Sequence, residues 1–239
     1  MTPRSTPVPF RRSVLAAAVT VTAAGAVSAV APPADAATAE CGPGCISVFS
    51  SALGTYADVD HVEAVLDGGA ARPGQPVGLA PVSGTDPAED FRPGTATGGG
   101  TVADFYADGM VSAEANAHYG PLNAVQQEYA PFGVETGMCV GVARVVQGEG
   151  LTLQPCDVPG TTVWIVQPVP GDTTPGWFAI VNAATSDFDR PFAMHLPCHE
   201  VASGDSVQMQ LRQLRYRTGD GMLPATQVWG AVFGPQGQS

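Results

Sequence analysis

The sequence predicts an all-β protein built from three copies of one four-strand unit, and three observations carry that prediction. Glycine and proline are abundant, 29 and 22 of 239 residues, while only 13% of residues are charged; this suits many tight turns better than long helices. Apolar side chains alternate with a period of two in Val77-Gly-Leu79, Leu151-Thr-Leu153 and Val207-Gln-Met209-Gln-Leu211, so one face of each segment is able to pack inward. These three segments also sit in similar surroundings.

In the first copy, Ala64-Val-Leu-Asp67 leads through a Gly-rich turn to Val77, and Phe91 follows. In the second, Met138-Cys-Val-Gly141 leads through Gly148-Glu-Gly150 to Leu151, and Trp164 follows. The step from Asp67 to Val77 equals that from Gly141 to Leu151, and the aromatics come 14 and 13 residues later. The third copy is looser: Phe192-Ala-Met-His-Leu196, then Gly204-Asp-Ser206, then Val207 to Leu211, an insertion from Tyr216 to Met222, and Gln227-Val-Trp229. A strand precedes each copy, at Cys45 to Phe49, Val125 to Tyr129 and Trp177 to Val181, which makes about twelve strands in all. Helical periodicity is weak. Its longest candidate, Val102 to Tyr119, is interrupted by Gly109 and stopped by Gly120-Pro121.

The chain opens with Arg4, Arg11 and Arg12, an apolar run from Val14 to Val30, a Pro-Pro break and the small residues Ala34-Asp35-Ala36. That is the anatomy of a cleaved export signal over residues 1–36; the apolar run is short for a membrane span. The route is left open, because two arginines before an apolar stretch occur in any export signal. No later segment approaches membrane-spanning length.

The chain has no lysine, and its ten arginines face 22 acids. Cleavage takes away three Arg and one Asp, leaving seven Arg against 21 acids and a net charge of −14. Such a field disfavours nucleic acid and anionic membrane surfaces as partners. Only Arg212, Arg215 and Arg217 cluster, and their spacing suits a solvated strand face.

All five cysteines follow the cleavage point, on a chain bound for an oxidising compartment. Cys41-Gly-Pro-Gly-Cys45 reads as a small N-terminal staple. Cys139 and Cys156 flank a turn and suit a closed loop stabilised by roughly 3 kcal/mol. Cys198 is then left over.

The order of strand, hairpin, V-x-L strand and Gln-x-Trp strand resembles the ricin-B type β-trefoil over roughly residues 44 to 234. The resemblance implies a single domain over 37–239, with repeats near 44–97, 98–172 and 173–235, closing a six-stranded barrel under a hairpin cap. It implies that Phe91, Trp164 and Trp229 share one core, and that Cys139 bonds Cys156 within a repeat. It also implies a secreted binding protein, not an enzyme, whose partner is a glycan or an extracellular protein. In this family an acid on the second strand accepts hydrogen bonds from sugar hydroxyls. Only the first copy keeps one, Asp67, with Glu89 and Asp90 near the motif's Gln position, so weak sugar binding is expected there alone. The alternative is a trefoil scaffold that binds or inhibits a protein through its long loops, Thr95 to Tyr119 and Arg212 to Pro224.

Other motifs offer little chemistry. Gly204-Asp205-Ser206 resembles a hydrolase nucleophile turn, but no His follows position 199 to serve as the base in that arrangement, and a secreted hydrolase is the least supported reading. His195, Cys198 and His199 are metal-capable, but Pro197 forbids a helix that would align them. No metal and no cofactor are expected. The export reading predicts that the purified secreted protein begins between Ala36 and Glu40; N-terminal sequencing checks this, and a mature chain that retains Arg11 and Arg12 refutes it.

Overall fold

A computed structural model describes residues 41, 44–94, 100–169, 176–198, 200–219 and 221–233. The proposed export segment and His199 lie outside them. No helix among the described residues is long and apolar enough to cross a membrane.

Twelve strands carry the fold: β1 (Ile46–Ser50), β2 (His61–Val65), β3 (Val77–Pro81), β4 (Phe91–Pro93), β5 in two pieces (Asn123–Val125 and Gln127–Tyr129), β6 (Met138–Gly141), β7 (Thr152–Pro155), β8 (Trp164–Pro168), β9 (Phe178–Asn182), β10 (Phe192–His195), β11 in two pieces (Val207–Gln208 and Gln210–Gln213) and β12 (Trp229–Phe233). Six of them close a ring of antiparallel pairs. β1 pairs with β4, β4 with β5, β5 with β8, β8 with β9, β9 with β12, and β12 with β1 again. Closure leaves the barrel with no open edge.

The other six strands form three hairpins, β2–β3, β6–β7 and β10–β11, that cap one end of the barrel. They meet in a ring of main-chain hydrogen bonds. Val77 N–H donates to Leu151 O (2.9 Å), Leu151 N–H to Met209 O (2.8 Å), and Met209 N–H to Val77 O (3.2 Å). The ring marks a pseudo-threefold axis, and the chain is a β-trefoil. Gly78 sits where β3 meets β11, and a Cβ there would collide with the main chain of Val207 and Gln208.

The pairing fixes which residues correspond. Leu79, Leu153 and Leu211 lie opposite Glu63, Val140 and Met194. Gly141 therefore corresponds to Ala64 and His195, and not to Asp67 as equal spacing suggested. The β2–β3 loop is longer than the β6–β7 loop, and the extra residues push Asp67 out of the strand. In the third copy it is Met209, not Val207, that matches Val77 and Leu151.

Phe91, Trp164 and Trp229 are fully buried in one core with the leucines of the cap. Each begins the last strand of its repeat. The two indoles also donate Nε1–H to the cap, Trp164 to Val140 O (2.8 Å) and Trp229 to Met194 O (3.2 Å). Phe91 has no such donor.

Residues 102–119 form two short helices, α1 (Val102–Ala107) and α2 (Ala113–Tyr119), separated at Gly109, whose φ of +75° suits a residue without a side chain. Thr101 and Asp104 form a capping box on α1, and Ser112 caps α2. Val102, Phe105, Ala115 and Tyr119 pack with Ile165, Val181 and Ala193 in a second core distinct from that of the barrel and cap. Cys41–Cys45 and Cys139–Cys156 are bonded, the latter tying β6 to the turn after β7, and Cys198 is a free thiol.

Replacing Trp164 or Trp229 by Phe removes a buried donor and orphans a carbonyl. Each substitution is expected to lower stability by about 1–3 kcal/mol in urea unfolding, and a change under about 0.5 kcal/mol would show that the indole bond contributes nothing.

Candidate functional site

The three acids expected at a first-repeat site do not form one pocket of free carboxylates. Asp67 is exposed in the β2–β3 loop and pairs with Arg72. Glu89 is buried and accepts hydrogen bonds from Ser83 N–H (2.8 Å) and Gly84 N–H (3.2 Å). Asp90 accepts from Phe132 N–H at 2.7 Å. Burial is the largest influence on both Glu89 and Asp90 and raises their pKa values, while these main-chain donors pull the other way.

Glu89, Thr162 and Gln227 stand two residues before the three core aromatics, and all three bind main chain shortly after the hairpin. Thr162 donates to Val158 O (2.9 Å), and Gln227 donates to Gln213 O (3.0 Å) and accepts from Arg215 N–H (3.2 Å). This position serves the fold in every repeat.

In the third repeat a polar hollow of about 230 Å³ opens between the end of β10, β11 and the segment before β12. His195, Arg212, Arg215, Thr226 and Gln227 line it. Arg212 Nη1 lies 3.2 Å from His195 Nε2, and a guanidinium only donates, so Nε2 accepts. His195 Nδ1 then carries the proton and donates to Thr226 O at 3.2 Å. Neither Arg212 nor Arg215 has a carboxylate within ion-pair distance among the described residues, although the sequence holds 22 acids against ten arginines. The hollow is rich in donors.

Sequence reasoning treated the arginine cluster as a solvated face and missed this hollow. Aligning the third copy on Met209 instead of Val207 would have brought His195 opposite Gln210 and beside Arg212.

Gly204-Asp205-Ser206 is an exposed turn closed by Asp205 N–H to Ala202 O. His61 Nε2 lies 3.2 Å from Asp205 O, so that nitrogen donates to main chain instead of acting as a base on Ser206. No group of three metal-capable side chains occurs among the described residues.

The ring of six strands and its three-hairpin cap define a β-trefoil, without reference to any relative. No protein-family model matches the chain, and no curated protein matches it. Similar solved structures include a designed threefold-symmetric protein, ThreeFoil (12% identity, TM-score 0.47, 79% of this chain and 98% of that one). A mosquitocidal holotoxin is similar at 7% identity and TM-score 0.46, over 80% of this chain but 17% of the toxin. A Caenorhabditis elegans protein of unknown function is similar at 9% identity and TM-score 0.40, over 80% and 93%.

Another acid of the first repeat, Glu63, was not singled out by the sequence. It is fully buried on β2, neither carboxyl oxygen has a hydrogen-bond partner among the described residues, and its threefold counterparts are Val140 and Met194. Burial pushes its pKa up to about 8 from the ordinary 4.5. Between these values the folded chain holds a proton that the unfolded chain has released, so stability falls as pH rises from about 4.5 through about 8. Glu63→Met, which installs the third repeat's residue, is expected to flatten that decline and raise the melting temperature at pH 8. Thermal unfolding across the range checks it; an unchanged slope in Glu63→Met would mean that other groups set the pH dependence.

Proposed function

We propose that this chain is a secreted, non-catalytic β-trefoil binding protein of the ricin-B type, and that its third-repeat hollow takes an acidic carbohydrate. One observation carries the reading: Arg212 and Arg215 meet beside His195 and Gln227 in a hollow with no carboxylate partner for either guanidinium among the described residues. Guanidinium groups match carboxylate or sulfate oxygens in geometry and charge. The surrounding protein is strongly acidic, so an anionic ligand is attracted only locally, and salt weakens the contact. Export is supported by the leader pattern and by the two disulfides.

The third repeat is favoured because Asp67, Glu89 and Asp90 already have other partners. Arg215 is exposed and its bond to a ligand is screened, so millimolar affinity is expected of a single sugar. Isothermal titration of the mature protein with glucuronic acid and galactose 6-sulfate, against galactose and xylose, tests the reading. Acidic sugars are expected to bind and neutral ones not, with Arg212→Gln or Arg215→Gln weakening binding about fivefold or more and Asp67→Ala leaving it unchanged. If Asp67→Ala alone abolishes binding, the site belongs to the first repeat. If no sugar binds, the scaffold reading with an extracellular protein partner takes its place.

A further inference from the structure

The third-repeat hollow holds a titratable ring that the packing of the cap does not require. The strand register sets His195 where the other two repeats have Ala64 and Gly141, and Arg212 where they have Ala80 and Gln154. Two of the three hairpins therefore close without an imidazole. In the third, His195 lies opposite Gln210 and Arg212 opposite Ala193, so both side chains stand on one face of the ribbon and meet across it.

The ring is held at both nitrogens. Nδ1–H donates to Thr226 O (3.2 Å), a carbonyl that also accepts from Leu196 N–H (2.9 Å), and Nε2 accepts from Arg212 Nη1 (3.2 Å). A ring that accepts at Nε2 is neutral. A second proton has to enter at Nε2, the atom that holds Arg212.

Adding that proton has two consequences. The Arg212 N–H loses its acceptor and is released to the hollow, and the charged ring repels both guanidinium groups unless an anion stands among them. Among the described residues lining the hollow, Arg212 from β11 and Arg215 from the segment after it are the charged groups that face the ring; the segment before β12 brings Thr226 and Gln227, which do not titrate. β9, which pairs with β10, carries no ionisable side chain, and Cys198 beyond the end of β10 packs against the core of barrel and cap. An anion in the hollow and a proton on Nε2 thus favour each other.

We propose that His195 is a proton-coupled positioning residue of this hollow: neutral, it holds Arg212 against the wall, and when an acidic ligand binds, Nε2 takes a proton from solvent and Arg212 turns to the ligand. The inference rests on the reading of the hollow as a site for acidic sugars and adds a condition to it. The complex holds a proton that the empty site does not, so affinity rises as pH falls. Breaking the bond between Arg212 and the ring opposes this, but a charge-assisted bond to the ligand replaces it, and that is the stronger kind.

The test is titration calorimetry of the mature protein with galactose 6-sulfate, whose sulfate stays ionised throughout, at about pH 7.5 and about pH 5.5. The wild type is expected to bind about fivefold or more tightly at the lower pH, and His195→Gln to change by less than about twofold. The acidic surface loses charge on acidification in both proteins, so the difference between the two slopes belongs to His195. Should His195→Gln fail to fold, wild-type heats at about pH 6.5 in bis-tris and in imidazole buffer report the proton directly, and net uptake on binding is expected. Equal slopes in the wild type and a folded His195→Gln, or no proton uptake, overturn the role given to His195 and leave the acidic-sugar reading standing. Absence of binding at both pH values removes that reading and this inference with it.

Discussion

The structure depends on three hydrogen bonds that join Val77, Leu151 and Met209 head to tail in a ring. Each hairpin of the cap is a two-stranded ribbon, and such a ribbon is at best marginally stable alone. Linked through the ring, the three hairpins bury Leu79, Leu153 and Leu211 against one another and against the aromatics that begin β4, β8 and β12. The barrel and the cap therefore stabilise each other: the indoles of Trp164 and Trp229 donate upward into the cap, and the cap excludes water from the upper barrel.

Threefold symmetry makes departures from it informative. Glu63 replaces Val140 and Met194, Gln127 replaces Val48 and Ile180, and Phe91 replaces two tryptophans. Two of these departures leave a buried polar atom without a partner, which costs stability in an interior of low dielectric. Gln127 is among the residues lining the open cavity at the barrel end. Glu63 is not among the residues lining that cavity, and its consequence is a stability that declines with pH. The third repeat departs in another way: it places Arg212 at the hollow, where the strand register puts Ala80 in the first repeat.

The insertion between the first two repeats adds a second core outside the barrel. Its helices are too short to be stable alone, and they hold their shape by burying Phe105 and Tyr119 against residues of β8, β9 and β10. This covers one sector of the barrel and leaves both the third-repeat hollow and the open barrel end clear of the helices.

The sequence by itself determined the all-β class, the number of repeats, the approximate place of each strand and the three aromatics of the core. These are local properties: alternation, turn residues and spacing report directly on which side chains face inward. It also singled out the two bonded cysteine pairs, because their spacing suits short closed loops. It did not determine the register within each hairpin. A loop a few residues longer keeps the same spacing from Asp67 to Val77 while moving Asp67 off the strand, and only the pairing of Glu63 with Leu79 reveals the offset. The hollow and the cavity were decided by tertiary structure alone. His195 and Arg212, or Gln127, Ala231 and Val48, are distant in sequence and become neighbours only when the ring closes, so no local pattern announces them.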